Sequence, residues 1–158
     1  MIKEFQGENR FLSNFHPCRI DWEGIVYSSV EHAYQASKTL DRKERFRISG
    51  LSTPGKAKRA GSRLTIRPDW ESVKISIMES LVRQKFTRHQ ILKQALLATG
   101  NQEIQEGNTW GDTFWGVSLS TGEGRNELGK ILMRIREKLR CSVVALDAVV
   151  SDMFGKSA

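Results

Sequence analysis

The run Ser28-Ser29-Val30-Glu31-His32-Ala33-Tyr34-Gln35-Ala36-Ser37-Lys38 sets reactive side chains at helical spacing. On an α-helix Glu31, Gln35 and Lys38 share one face with Tyr34 beside them, because residues three and four apart are neighbours. A carboxylate, an amide and an amine then project from one rigid element. Such a row can hold sugar hydroxyls and transfer protons. Capping is the plain alternative. Ser28 to Glu31 has the Ser-x-x-Glu form in which the glutamate satisfies a backbone N–H, and spacing alone favours that role. Lys38 is equally a surface lysine by this count, and His32 points away from the row.

A second cluster is Trp110-Gly111-Asp112-Thr113-Phe114-Trp115-Gly116. Its aromatics can wall a pocket, its glycines allow close backbone approach, and Asp112 supplies a charge where an altered pKa suits acid or base work. The same residues also suit a folded loop whose aromatics plug the core while Asp112 bonds to backbone. Asp69-Trp70-Glu71 stands at a helix start, where carboxylates favour the positive end of the dipole. Trp70 is either a platform for a heteroaromatic ring or the first core residue of an apolar stripe, and periodicity favours core. Gly122-Glu123-Gly124-Arg125-Asn126-Glu127-Leu128-Gly129 is neither a dinucleotide fingerprint nor a Walker A loop. A glycine-rich turn before a helix still offers N–H groups to an anion, with Arg125 or Asn126 able to touch phosphate or ribose. His16, His32, His89 and the two cysteines show no ligand spacing, so no metal site is expected.

Mostly helical elements must position these groups. Phe5 closes a short extended start, a loop spans Gly7 to Pro17, and Cys18–Ile20 with Ile25–Tyr27 form a hairpin. A helix runs from the Ser28 capping box to about Leu40. A short basic helix over 41–49 ends at Gly50, and Thr53-Pro54 opens another that Gly61 closes. Pro68 introduces a stripe of Trp70, Val73, Ile77, Leu81 and Val82. Thr87-x-x-Gln90 reads as a further capping box before a helix to Ala98. The stretch 101–124 is irregular, with short strands near Glu103 and Val117. Leu128, Ile131, Leu132, Ile135 and Leu139 stripe the last strong helix. Beyond it Val143, Val144, Leu146, Val149, Val150, Met153 and Phe154 suit an apolar helical face that caps the domain or contacts another subunit.

Composition narrows the class. The 158 residues are 39% hydrophobic and 27% charged, an ordinary globular balance for one domain. No apolar run approaches a membrane span, and the charged N-terminus lacks the apolar stretch of an export signal. Two cysteines form no disulfide framework, so reduced thiols in a cytoplasm are expected. The net charge is +7. Residues 38–67 hold ten basic and two acidic side chains, so the whole excess is local and suits a phosphorylated metabolite, a nucleotide or nucleic acid. A solvated helical face explains the charge equally well.

Together these motifs resemble the YbiA-like, or NADAR, family of N-glycosidases. The resemblance rests on Phe11-Leu12-Ser13-Asn14-Phe15, on Tyr27-Ser28-Ser29-Val30-Glu31-His32-Ala33-Tyr34-Gln35-Ala36-x-Lys38, and on Pro54-Gly55-x-Ala57-Lys58. It continues through Arg67-x-Asp69-Trp70-x-x-Val73-Lys74, Lys85-Phe86, Leu96-Leu97-Ala98-Thr99-Gly100, Asp112-x-x-Trp115-Gly116 and Gly124-x-Asn126-x-Leu128-Gly129-x-Ile131-Leu132-Met133. Residues 5–140 are covered. One departure is Ser62-Arg63 after Gly61, where the family often has Gly-Arg directly; Arg63 is expected to do the same job.

The resemblance implies one compact, predominantly helical α+β domain over 1–140, with 141–158 as a C-terminal extension. It also implies hydrolysis of an N-glycosidic bond between a phosphorylated ribose and an amine. Two substrate kinds are implied: phosphoribosylated aminopyrimidines of early riboflavin synthesis, and ADP-ribose on guanine in nucleic acid. Family pattern puts Glu31, Trp70 and Asp112 in the active site, with Lys38 as a further catalytic candidate. Breaking a ribosyl–amine bond passes through an oxocarbenium-like state that needs a carboxylate and an acid, roles expected of Glu31 and Asp112. Trp70 would stack on the leaving base and Arg63 and Arg67 would hold phosphate. Gln35, Trp115 and Asn126 complete the expected binding set. Neither metal nor organic cofactor is required. The competing classes are a binding module for ADP-ribose or a nucleotide without turnover, and a nucleic-acid-binding protein. The latter lacks any recognised binding motif.

Overall fold

A computed structural model describes residues 1–154, so the expectation for 155–158 lies outside the described residues. The order of elements is mainly helical, with two short sheets. Strands β1 (Pro17–Trp22) and β2 (Ile25–Ser29) pair antiparallel across the turn at Glu23-Gly24. Helix α1 (Val30–Ser37) follows β2 without a break, and all eight of its residues are buried. Helices α2 (Arg42–Ser49) and α3 (Pro54–Gly61) pack on α1, as do the hairpin and α4 (Trp70–Arg88). Helix α5 (Gln90–Ala98) and the long α6 (Glu127–Phe154) close the far side of α4. Strands β3 (Gly107–Asn108) and β4 (Val117–Ser118) pair in parallel within the irregular segment, and Ile2 bridges Ile104. The expected α+β, predominantly helical architecture is the observed one.

Helix boundaries follow the capping chemistry, with three corrections. The N-cap of α1 is Ser29, whose Oγ accepts from the His32 N–H at 3.1 Å. Glu31 is therefore the second helical residue rather than the third, and its carboxylate does not reach back to the cap. Its Oε1 accepts from Gln35 instead. The helix also ends at Ser37 rather than near Leu40. At residue 87 the hydroxyl of Thr87 donates to the Arg83 carbonyl at 2.8 Å, so the expected capping box there does not form. Asp41 and Thr53 do cap α2 and α3, accepting from Lys43 N–H and Lys56 N–H.

The core joins α4 and α6 through Ile77, Met78, Leu81, Val82 and Phe86 on one side and Leu128, Ile131, Leu132, Ile135 and Leu139 on the other. Glu79 of α4 adds ion pairs to Arg134 and Lys138 of α6, at 2.9 and 3.4 Å. Lys85 is fully buried, and its ammonium donates to the Ser13 carbonyl at 2.8 Å, tying α4 to the N-terminal loop. That loop also accepts the Glu31 N–H on Asn14 O at 3.0 Å, which fixes the start of α1 beside it. Helix α6 runs past residue 140 without interruption, and Val143, Val144, Leu146, Val149, Val150 and Met153 are exposed along it. No helix among the described residues is long and apolar enough to cross a membrane.

Candidate active site

Burying every residue of α1 forces its polar side chains to find partners. His32 is held by Ser29 Oγ at 2.7 Å and the Leu51 carbonyl at 2.9 Å, and Ser37 donates to the Tyr34 carbonyl at 2.6 Å. These are structural contacts. Glu31 and Gln35 instead bond to each other, Gln35 Nε2 donating to Glu31 Oε1 at 2.7 Å. Both line a cavity of about 320 Å³, together with Tyr34 from the same helix and Lys38 at its C-cap. The row expected from spacing is thus assembled on one wall.

A second part of the lining comes from the irregular segment, which contributes Glu106, Gly107, Trp110, Asp112 and Trp115. Asp112 closes a tight turn: its Oδ1 accepts from the Phe114 and Trp115 N–H groups at 3.1 and 2.9 Å. Its backbone is clamped by Asn108, whose amide donates to Asp112 O at 2.7 Å while its oxygen accepts from Asp112 N at 3.0 Å. Asp112 is therefore both backbone-bonded and at the cavity. Ser13, Asn14 and Phe15 of the N-terminal loop and Met78 of α4 complete the walls, with Arg10 and Lys58 as cations.

Charge in this space is dominated by desolvation. Burial raises the Glu31 carboxyl above the usual carboxylate range, against the lowering effects of the Gln35 hydrogen bond and of Lys58 and Lys38. For Lys38, burial lowers the ammonium pKa while Glu31 opposes the shift. Burial, reinforced by Asp112 and Glu31, pushes Glu106 up to about 8. Glu106 and Arg10 are lining residues that sequence reasoning missed. Among the described residues no three or more His, Cys, Asp or Glu side chains group to hold a metal ion.

Four expected contacts lie away from these walls. Trp70 is only 8% exposed and packs beneath Tyr34, with ring centroids 5.3 Å apart, so it supports the wall without forming it. Arg67 forms a bidentate pair with Asp69 at 2.6 and 2.9 Å, and Arg63 is exposed outside the lining. Of the basic window, Lys38 and Lys58 reach the cavity, because successive basic residues on α2 and α3 point in different directions. Asn126 sits in left-handed backbone, φ 52°. Its side chain donates to Ile104 O at 2.9 Å and accepts from Glu106 N at 3.1 Å. Both polar atoms of its side chain are thus spent on the backbone of the segment that carries Glu106. Trp115 does line the cavity and meets Tyr34 edge-on at 5.6 Å.

The NADAR domain family profile matches residues 2–140. The chain belongs to the NADAR domain family. A riboflavin biosynthesis protein of Vibrio vulnificus is 39% identical over 132 residues, covering 82% of this chain and 35% of that protein. The chain thus spans about a third of that relative. An N-glycosidase YbiA from Shigella boydii is 40% identical over 130 residues, covering 81% of this chain and 80% of that one. The NMR structure of E. coli YbiA superimposes with a TM-score of 0.80 at 35% identity, covering 91% of this chain and 88% of that one. The NADAR match therefore encompasses every element that builds the cavity.

Proposed function

We propose that the cavity binds a phosphorylated ribose joined to an amine and hydrolyses the C1′–N bond. The chain's NADAR membership and its likeness to N-glycosidases make it an enzyme of that class; the phosphorylated ribose and the residue roles are our reading. One observation carries it. Glu31, Lys38 and Asp112, from two separate parts of the chain, line one cavity that also holds Arg10 and Lys58 and aromatic side chains. Carboxylates suit the cationic ribosyl centre, the cations suit phosphate, and the aromatics suit a leaving heterocycle.

Catalysis follows from these roles. Tyr34, Trp110 and Trp115 hold the leaving base, and Arg10 with Lys58 holds the phosphate. Glu31, oriented by Gln35, faces the ribose and stabilises positive charge at C1′. Asp112, with Oδ1 fixed by two backbone N–H groups, takes a proton from the attacking nucleophile. Lys38 acts at C1′. A ribosylamine opens to an iminium, the partly desolvated Lys38 amine adds to C1′ and displaces the substrate amine, and water releases ribose from the resulting Schiff base. The Vibrio relative's riboflavin name supports a phosphoribosylated aminopyrimidine; ADP-ribosylated guanine shares the same bond and charge.

The test is a product assay on both substrates side by side. Release of free amine with ribose 5-phosphate, or of guanine-containing DNA with ADP-ribose, supports the reading and selects the substrate. Tight binding without release would instead make the cavity a binding module.

A further inference from the structure

Cleavage expels an amine that needs a proton as its bond to C1′ breaks. We infer that Glu106 donates that proton. This deepens the N-ribosyl reading of the cavity and rests on it. Glu106 lines the cavity with Glu31 and Asp112, and its Oε2 is sealed from solvent without a hydrogen-bond partner.

The other two carboxyls receive N–H donors, Glu31 from Gln35 and Asp112 from two backbone amides. Such donors suit an accepting oxygen. Glu79 and Glu127, elsewhere in the fold, spend their charge on cations: Glu79 on Arg134 and Lys138, Glu127 on Arg125 and Lys130. The Glu106 carboxyl has neither kind of partner among the described residues. An unpaired buried carboxylate is costly, whereas the neutral acid is tolerated and carries a transferable proton. The groups facing it are Asp112 and Glu31, which favour the protonated form, and Lys58, which opposes it. Lys38 and Arg10 line the same cavity. The state expected near neutral pH is the one a general acid requires.

The backbone is built to hold this acid still. Glu106 N donates to Asn126 Oδ1 at 3.1 Å, and Glu106 O accepts from Val117 N at 2.9 Å. A Cβ on Gly116 would collide with that same carbonyl oxygen. Asn126 and Gly116, both in the motifs of the sequence, thereby act as positioning residues for Glu106.

In the step itself the C1′–N bond breaks and its electron pair moves to nitrogen, which takes the Glu106 proton. C1′ bonds to the incoming nucleophile, whose proton passes to Asp112. Completion consumes one water and yields a ribose hydroxyl and a free amine; Asp112 releases its proton to solvent and Glu106 regains one from solvent, which restores both groups.

The experiment compares wild type and Glu106→Gln on two 5-phosphoribosyl anilines, one bearing 4-methoxy and one 4-nitro. The methoxyaniline is the more basic leaving group and depends strongly on the proton; the nitroaniline, which carries less charge on its departing nitrogen, depends on it less. Expected is a loss of about 10²–10⁴ in kcat on the methoxy compound and under ~10-fold on the nitro compound. The alkaline fall in wild-type kcat should also disappear in the variant. A loss equal on both substrates, in a variant that remains folded, would make Glu106 a structural residue and overturn the inference. So would wild-type rates on both. If wild type cleaves neither compound nor the two substrates named above, the N-ribosyl reading falls and takes this inference with it.

Discussion

The Gln35 side chain donates to Glu31 through Nε2, while its own Oε1 is buried without a partner and occupies the space where a Cβ of residue 61 would lie. Gly61 is thus part of the site's geometry without touching the cavity. Gly61→Ala should displace the flexible carboxamide at little cost in folding but release Glu31 from its orienting contact. A fall in kcat of roughly tenfold or more is expected, matched by Gln35→Ala, with the double variant no worse than either single one. Steady-state kinetics on the four proteins checks the coupling.

Glu31→Gln should abolish turnover without destabilising the fold. Burial raises the Glu31 carboxyl, so above the ordinary carboxylate range the folded protein holds a proton that the unfolded chain releases. Stability then falls as pH rises through that window, and the amide removes the penalty. The variant should be as stable as wild type or more stable at pH 7. A loss of about 0.5–2 kcal/mol, as for a deleted cap, would contradict the observed capping by Ser29.

Glu106 gives the same sign over a defined range. Its pKa of about 8 lies above the ~4.3 of an unfolded glutamate, so the folded state binds the extra proton between those values. Wild-type stability relative to Glu106→Gln should decline from pH 5 to pH 8. Denaturant titrations of both proteins across that range read the slope directly.

Aromatic substitutions should separate support from contact. Trp70 is buried under Tyr34, so Trp70→Ala should cost ~3–5 kcal/mol of folding free energy. Trp110 lines the cavity, is 63% exposed and lies under Lys58 at 5.5 Å, so Trp110→Ala should raise KM with little change in melting temperature. Thermal unfolding beside kinetics distinguishes them.

The charge patch makes a similar contrast. Neutralising Arg10 and Lys58 together should raise KM for a phosphorylated substrate by ~10-fold or more at low salt, with the difference shrinking as salt rises. Neutralising Arg63 and Arg67 should change KM less than twofold. The reverse order would return phosphate binding to the pair suggested by sequence.

The row on α1 was legible because helical spacing alone brings Glu31, Tyr34, Gln35 and Lys38 to one face. The cap lies one residue later than the Ser28 spacing indicates, since adjacent serines offer the same side chain and only the backbone decides between them. Trp70 was correctly periodic for core, and the family pattern drew it into the site. Glu106 carried no local signal: it lies in an irregular stretch, and Asn126, 20 residues on, sets its position. The patch over 38–67 looked continuous, yet helices α2 and α3 disperse its side chains around their axes.

The most direct measurement of the central claim mixes the enzyme with a phosphoribosylated aminopyrimidine and adds borohydride during turnover. The account predicts free aminopyrimidine and ribose 5-phosphate in equal amounts, and a reduced adduct of ribosyl phosphate mass on Lys38 that is absent in Lys38→Arg. Release of inorganic phosphate with the C1′–N bond intact, or turnover by Lys38→Arg at the wild-type rate with no adduct in either protein, would contradict it.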